Sequence, residues 1–189
     1  MRKITTYILC ITLLLIAYNL AYAESYKDID DFKLLEDKEY YSYLIKDIGA
    51  ARHSIDIIMY LFKPTGYRNG LPDHILDSIE SKHKQGVNVI VLLNIDDRYK
   101  YNGKAVSVND SNTSVAKDLE KRGIRVYFDS PKRITHAKVI IIDKRIVYIG
   151  SHNFTQSALK YNHEISVRIV SSDLAEMLLR YMEVIEHEI

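Results

Sequence analysis

The chain of 189 residues has little cysteine, proline or glycine: one, three and seven residues respectively. A lone cysteine, Cys10, excludes an internal disulfide framework, so a fold must be stabilised by its core. The scarcity of proline and glycine excludes collagen-like and low-complexity classes. A large charge of one sign is also absent, because the formal net charge is +1, and the overall charge therefore does not indicate a nucleic-acid-binding protein. A composition of 47% hydrophobic and 27% charged residues predicts one folded domain.

The first segment has the composition of a targeting signal. Arg2 and Lys3 precede an uncharged, mostly apolar stretch, residues 4–23, which ends in the small-x-small pattern Ala21-Tyr22-Ala23. This pattern predicts a secretory signal peptide that is cleaved after Ala23, so that the protein is exported to the periplasm or secreted. The alternative is an uncleaved membrane anchor formed by residues 4–23. Cleavage would leave one domain, residues 24–189, with no cysteine and a net charge of −1.

Helical and strand patterns alternate along the rest of the chain. Apolar residues at helical spacing predict helices at 39–51, 72–85, 114–122 and from Asp173 onward. Runs of β-branched and apolar residues predict strands at 54–61, 87–93, 125–128, 137–142, 146–149 and 165–170. The polar stretch 96–113 predicts a long loop. This order predicts an α/β fold in which helices on both faces flank a mixed, mostly parallel sheet.

Charge is distributed unevenly along the sequence. Residues 98–145 contain twelve basic and five acidic residues, a net charge of +7. A basic segment of this kind favours contact with a polyanion, although a solvated surface without a partner is the alternative.

The candidate catalytic residues lie within and beside this segment. On an extended strand, His136 and Lys138 project to the same face, about 6–7 Å apart. Ser151 and Asn153 share one side of the chain if their segment is extended. An imidazole nucleophile or acid, an ammonium group, a hydroxyl and an amide together suit the chemistry of a phosphate group.

The spacing of these residues resembles the signature of the phospholipase D superfamily, H-x-K-x4-D-x6-G-S-x-N. All six specified positions match: His136, Lys138, Asp143, Gly150, Ser151 and Asn153. Six fixed residues at fixed spacing make this match far more specific than a short motif. The resemblance implies a phospholipase D-like α/β sandwich. In having a single motif, the chain is similar to the small bacterial endonucleases and the mitochondrial cardiolipin hydrolases.

The resemblance also implies a mechanism. One motif histidine attacks the phosphodiester to form a phosphohistidine, and a second protonates the leaving group and then activates water, with no metal or cofactor. This chain carries one motif, so we expect a homodimer whose active site lies at the two-fold interface and contains His136 from both copies.

Three further residues lie outside the central His136–Lys138 pair. Asp143 is an odd number of positions from His136, so on a regular strand it points to the opposite face, and a structural or supporting role is expected. Glu164 corresponds to a carboxylate that, in the single-motif members, bonds the catalytic histidine and fixes its tautomer. His152 stands where family members often carry an aromatic or apolar residue, and we expect it either to line the substrate entrance or to pack. The spacing of His152, His163 and Glu164 matches no familiar metal site.

The sequence predicts the class of reaction better than the substrate. The basic segment and the single motif favour a non-specific endonuclease acting on DNA or RNA. The near-neutral net charge favours the alternative, a phospholipase D that hydrolyses phospholipid head groups of the phosphatidylcholine or cardiolipin type, with membrane association. A non-catalytic phosphate-binding module is the third interpretation. We expect Lys138, Ser151, Asn153 and His152 to contact the substrate.

Overall fold

The computed structural model describes residues 29–96 and 103–187. The predicted signal peptide or anchor, residues 1–23, lies outside the described residues and stays a prediction. Within the described ranges, no helix is both long enough and apolar enough to cross a membrane.

Seven strands form a central sheet, and two short strands form a separate pair. Their bounds are β1 Asp31–Glu36, β2 Ser54–Met59, β3 Phe62–Lys63, β4 Asn88–Leu93, β5 Arg125–Phe128, β6 Lys138–Ile142, β7 Ile146–Gly150, β8 Phe154–Thr155 and β9 Ile165–Val170. The order across the sheet is β1-β9-β7-β6-β2-β4-β5, and β3 pairs with β8.

Helices cover both faces of the sheet, as predicted. Their bounds are α1 Glu39–Ala50, α2 Leu71–Lys84, α3 Gly103–Lys121, α4 Gln156–Lys160 and α5 Ser172–His187. Leu44, Ile75 and Leu119 of the first three helices pack in the core on one face of the sheet. Ala175 and Met182 of α5 pack in a second core on the other face. The α/β sandwich expected from the sequence is therefore confirmed.

The sheet is mixed, as predicted, but the expectation that it is mostly parallel is wrong. Within the described residues, β2–β4 and β4–β5 are parallel, whereas β1–β9, β9–β7, β7–β6 and β6–β2 are antiparallel. The physical reason is the connection between β6 and β7. Asp143 and Lys144 have φ angles of 53° and 52°, and the Arg145 N–H donates to the Ile142 carbonyl at 3.1 Å. A two-residue turn with both φ angles positive joins antiparallel strands.

The predicted loop at 96–113 is also wrong in its second half, because residues 103–113 belong to α3. Asn109 and Asn112 of this helix bond to chain segments outside it. The Asn109 amide donates to the Asp96 carbonyl at 2.6 Å, and the Asn112 amide donates to the carbonyls of Tyr60 and Asn94 at 2.8 Å each. These tertiary bonds stabilise a helix whose polar sequence has low intrinsic helix propensity.

Candidate active site

The motif residues other than Asp143 meet at one end of the sheet. Lys138 begins β6 and Gly150 ends β7, and the antiparallel register places Val139 opposite Ile149. Ser151 continues toward the neighbouring strand, where its N–H donates to the Ile165 carbonyl at 3.0 Å. The two halves of the motif are therefore brought together by strand pairing, as the spacing predicts.

His136 and Lys138 are in direct contact. The Lys138 Nζ lies 3.2 Å from His136 Nδ1 and donates to the His136 carbonyl oxygen at 2.6 Å. The Lys138 side chain is only 5% exposed, whereas the imidazole is exposed at the surface. This arrangement combines a buried cation with an accessible nucleophile or acid, which is the combination that a phosphate group requires.

Burial and charge lower the pKa values of both groups. Burial lowers the pKa of His136, and the positive charge of Lys138 lowers it further. Burial lowers the pKa of Lys138 to about 8, although the nearby Glu164 carboxylate opposes this effect. At pH 7 the imidazole is therefore mostly neutral and the ammonium mostly charged, so Lys138 keeps the charge that would bind an anion.

The position of Lys138 also selects the tautomer of His136. An ammonium group has no lone pair, so Nδ1 must accept the hydrogen bond from Lys138. The proton of the neutral imidazole is then on Nε2. This form can donate a hydrogen bond from Nε2, whereas attack on phosphorus through Nε2 requires the ring proton to move to Nδ1.

The loop before His136 is fixed by buried polar groups. The Thr135 N–H donates to Asn94 Oδ1 at 3.0 Å and to Asp129 Oδ2 at 2.8 Å. Asp129 Oδ1 also accepts from the Ile95 N–H at 2.6 Å. Asn94 and Asp129 were missed in the sequence, because single polar residues after apolar strands carry no recognisable spacing. The hydrogen bonds of Asn94 and Asp129 fix the main chain directly before His136.

Ser151 and Glu164 bond to each other. The Ser151 hydroxyl donates to Glu164 Oε2 and accepts from the Ile165 N–H at 3.1 Å. Glu164 Oε1 accepts from Asn162 Nδ2 at 3.1 Å. Both oxygens of Glu164 are thus occupied by neighbours, and within the described residues no hydrogen bond joins Glu164 to His136. The expected bond between them is therefore not made in the single chain. The Glu164 carboxylate instead opposes the lowering of the pKa of Lys138.

Asn153 carries an unpaired polar atom. Its Oδ1 is buried and has no hydrogen-bond partner within the described part of the chain. The predicted contact of Asn153 with a phosphate oxygen stays a prediction.

The placement of His152 at the substrate entrance is wrong. The side chain is 0% exposed and stacks on Tyr40 with ring centroids 4.1 Å apart. Its Nε2 lies 2.9 Å from the Asp37 carbonyl and its Nδ1 lies 2.7 Å from the Ser166 hydroxyl. Because both ring nitrogens are occupied and the ring is enclosed, His152 packs in the interior and cannot contact a substrate.

Asp143 lies at the other end of β6 from Lys138. Its carboxylate accepts from the backbone N–H groups of Arg52, His53 and Ser54 at 2.7–3.1 Å. These bonds tie the β6–β7 turn to the start of β2. The geometry matches a structural role for this motif position.

The described residues contain no cluster suited to a metal ion. Across residues 29–96 and 103–187, no group of three or more histidine, cysteine, aspartate and glutamate side chains is arranged to hold a metal ion. His163 is exposed and pairs with Asp37 at 3.3 Å rather than with His152 or Glu164 side chains.

A family model described as "Cardiolipin synthase, PLD-like domain" matches residues 44–185, which include the whole motif. The chain belongs to the phospholipase D superfamily. Curated relatives in this superfamily include cardiolipin synthase A of Klebsiella pneumoniae, 26% identical over 122 residues, covering 64% of this chain and 24% of the relative. Cardiolipin synthase A of Serratia proteamaculans is 30% identical over 115 residues, covering 58% and 22%. The chain therefore spans about a quarter of the length of these relatives.

Solved structures of similar size match over almost their whole length. The phospholipase D family member Nuc from Salmonella typhimurium has a TM-score of 0.66 and 25% identity, with 84% of this chain and 95% of that chain covered. NucT from Helicobacter pylori has a TM-score of 0.63 and 22% identity, with coverage of 84% and 98%. These two proteins share the fold of this phospholipase D-like domain.

Proposed function

We propose that this protein is a metal-independent phosphodiesterase that works as a homodimer and cleaves nucleic acid. The observation that carries the proposal is the contact between the accessible imidazole of His136 and the buried ammonium of Lys138, 3.2 Å apart. This pair supplies a neutral nucleophile and a cation for the non-bridging phosphate oxygens.

The reaction has two steps. In the first, His136 of one copy attacks phosphorus, so that a nitrogen–phosphorus bond forms while the bond to the leaving oxygen breaks. His136 of the second copy, as the imidazolium, donates a proton to that oxygen and becomes neutral. In the second step, water attacks the phosphohistidine and gives a proton to the second His136, and the nitrogen–phosphorus bond breaks.

The two copies of His136 must therefore differ in their protonation. The copy that acts as the acid is the imidazolium, with a proton on each ring nitrogen, because a neutral ring does not release its N–H proton near pH 7. In the attacking copy, Nε2 is unprotonated and Nδ1 carries the proton. We propose that the electrostatic field of Glu164, which opposes the effect of burial on Lys138, helps to stabilise this second form.

Similarity and charge favour nucleic acid over lipid as the substrate. The single motif resembles that of the small bacterial endonucleases, and Nuc, a structure of similar size, matches this chain over 95% of its own length. The net charge of +7 across residues 98–145, a segment that includes His136, would attract a polyanion.

A second candidate is hydrolysis of phospholipids, and a surface feature favours it. Phe32, Leu34 and Ile165 are 57%, 46% and 60% exposed, and the strand register places them on one face of the sheet, with Ile165 directly after Glu164. Exposed apolar side chains grouped beside a site are typical of a lipid or protein interface. The matching relatives are cardiolipin synthases, which supports the same alternative.

One panel of assays separates these functions. The protein is incubated separately with plasmid DNA, single-stranded RNA, phosphatidylcholine vesicles and cardiolipin vesicles, each with and without EDTA. We expect cleavage of nucleic acid that EDTA does not prevent. Cleavage of lipid alone would make the phospholipase the correct function, and loss of activity in EDTA with recovery on adding a metal would contradict the metal-independent mechanism.

The shared site is tested by mixing subunits. Wild type and His136→Asn are co-expressed in equal amounts with different tags, so that copies pair at random. If each site needs His136 from both copies, activity falls to about one quarter of that of wild type alone, because mixed dimers are inactive. A decrease to about one half would mean that each copy carries a complete site, and the homodimeric mechanism would be wrong.

A further inference from the structure

Tyr60 contacts both of the central motif side chains. Its ring centroid lies 4.3 Å from that of His136, with an angle of 53° between the ring planes. The Lys138 Nζ lies 4.7 Å from the same Tyr60 centroid. We propose that Tyr60 is a positioning residue whose ring holds the Lys138 ammonium and the His136 imidazole in place at the site. The inference rests on the proposed function, because it concerns the same site.

The main chain around Tyr60 is held from two sides. The Tyr60 N–H donates to the Ala137 carbonyl at 3.1 Å, which ties it to the residue between His136 and Lys138. The Tyr60 carbonyl accepts from Asn112 Nδ2 at 2.8 Å, and Asn112 is 0% exposed. Because these two bonds hold the Tyr60 main chain and the second is in the interior, the ring is anchored beside the motif.

The ring completes the surroundings of the ammonium group. Lys138 Nζ has three protons, and two directions are taken by the His136 carbonyl at 2.6 Å and by His136 Nδ1 at 3.2 Å. The face of an aromatic ring carries partial negative charge and attracts a cation in the remaining direction. Without this face, the ammonium would turn toward water or toward the Glu164 carboxylate, and its contact with Nδ1 would weaken.

The contact depends on the aromatic ring rather than on the hydroxyl group. Both measured contacts join ring atoms of Tyr60 to its neighbours, and the imidazole is tilted against the ring rather than bonded to its oxygen. Phenylalanine keeps the ring, so Tyr60→Phe should keep the geometry of the site. Leucine keeps apolar bulk without a π face, so Tyr60→Leu should release both groups.

The chain offers a matched control at Tyr161. Lys160 Nζ lies 5.3 Å from the centroid of the exposed Tyr161 ring, so this is a similar cation–aromatic pair that contacts neither His136 nor Lys138. Tyr161→Leu removes the same kind of interaction from the surface, and we expect its activity to equal that of wild type.

The experiment measures kcat and KM with bis(p-nitrophenyl) phosphate, a diester that requires neither nucleic acid nor lipid. For Tyr60→Leu we expect kcat to fall by about 10- to 100-fold with little change in KM, because a misplaced nucleophile slows chemistry more than binding. For Tyr60→Phe we expect kcat within about threefold of wild type. Thermal unfolding verifies the fold, and Tyr60→Met, which has a similar apolar bulk, replaces Tyr60→Leu if the latter is unfolded.

A second measurement does not depend on turnover. The Cε1–H resonance of His136, assigned by its absence in His136→Asn, is titrated by NMR. Loss of the covering ring should raise the pKa of His136 toward its ordinary value in Tyr60→Leu and leave it unchanged in Tyr60→Phe. Equal titration and equal kcat in Tyr60→Leu and wild type would overturn the inference, as would a Tyr60→Phe enzyme as impaired as Tyr60→Leu. If the wild type cleaved no diester, the proposed function would fail while the titration still tested the role of Tyr60.

Discussion

His136 and His152 lie on either side of the β6–β7 hairpin, at the same end of the sheet, and their surroundings are opposite. His136 is exposed, and its described contacts are with Lys138 and with the face of Tyr60. His152 is enclosed, stacked on Tyr40 and bonded through both nitrogens. One imidazole is left available for chemistry, whereas the other is used to join three segments of the chain.

The tautomer of His152 follows from its partners. A carbonyl oxygen only accepts, so Nε2 must donate to Asp37, and in the neutral ring Nδ1 must accept from the Ser166 hydroxyl. Burial lowers the pKa of His152, although the Asp37 carbonyl opposes this effect. The ring is therefore neutral at pH 7 and bridges the β1–α1 turn and β9. The difference between the two histidines shows that burial and partner geometry, rather than residue type, distinguish an imidazole that is accessible for chemistry from a structural one.

The largest expected effect is that of removing the exposed imidazole. His136→Asn should reduce kcat by about a thousandfold or more, because both nucleophilic attack and leaving-group protonation are lost. The midpoint of thermal unfolding should change by no more than about 2 °C, since the side chain is at the surface. Diesterase assays and calorimetry on the same preparation measure the two quantities. Residual turnover within tenfold of wild type would exclude His136 as the nucleophile.

Removing the buried imidazole should have the opposite pattern. His152→Phe keeps a ring against Tyr40 but leaves the Asp37 carbonyl and the Ser166 hydroxyl without their partner. We expect a loss of about 2–4 kcal/mol in the free energy of unfolding, measured by urea denaturation, with near-normal kcat in the folded fraction. Ser166→Ala, which removes one of the two bonds, is the graded control and should cost about 1 kcal/mol. Unchanged stability with lost activity would instead mean that His152 acts in the active site.

The sequence was sufficient for the elements whose patterns are local. Strands such as β4 and β9 and the helix α2 agree with prediction within one or two residues, because their apolar periodicity reflects their own packing. The fixed spacing of His136, Lys138, Ser151 and Asn153 was likewise enough to predict that they meet at one site, since strand pairing brings both motif halves to the same sheet end.

The features that sequence reasoning missed depend on contacts between distant segments. Strand β1 was not predicted, because its apolar Phe32 and Leu34 are exposed and its hydrogen bonds are made with β9. The first half of α3 was read as loop, because the role of Asn112 is visible only when α3 packs beside β2. His152 was misplaced for the same reason: a histidine between two motif residues gives no sign that Tyr40 and Asp37 enclose it.

The smallest of these effects concerns a motif residue away from the exposed imidazole, and it tests whether the motif divides into chemical and structural parts. Burial raises the pKa of the Asp143 carboxyl, but the backbone N–H groups of His53, Ser54 and Arg52 outweigh that effect and hold the pKa below its ordinary value of 3.8. A lowered folded-state pKa stabilises the fold above the unfolded-state value, and the stabilisation is lost as the pH falls through the folded-state pKa.

Asp143→Asn isolates this charge, because asparagine tolerates the positive φ of 53° at this turn, whereas alanine would add backbone strain. We expect a loss of about 1–2 kcal/mol in the free energy of unfolding at pH 7, a difference that narrows below about pH 4 as the wild-type carboxylate is protonated. Urea denaturation at both pH values measures it.

Asp118→Asn on the surface of α3, which loses an exposed pair with Lys121, should change stability by less than about 0.5 kcal/mol. The kcat of the folded variant should remain near that of wild type. If kcat instead fell as far as in His136→Asn at unchanged stability, Asp143 would act in the chemistry, and the division of the motif between an exposed catalytic end and a bonded structural end would be wrong.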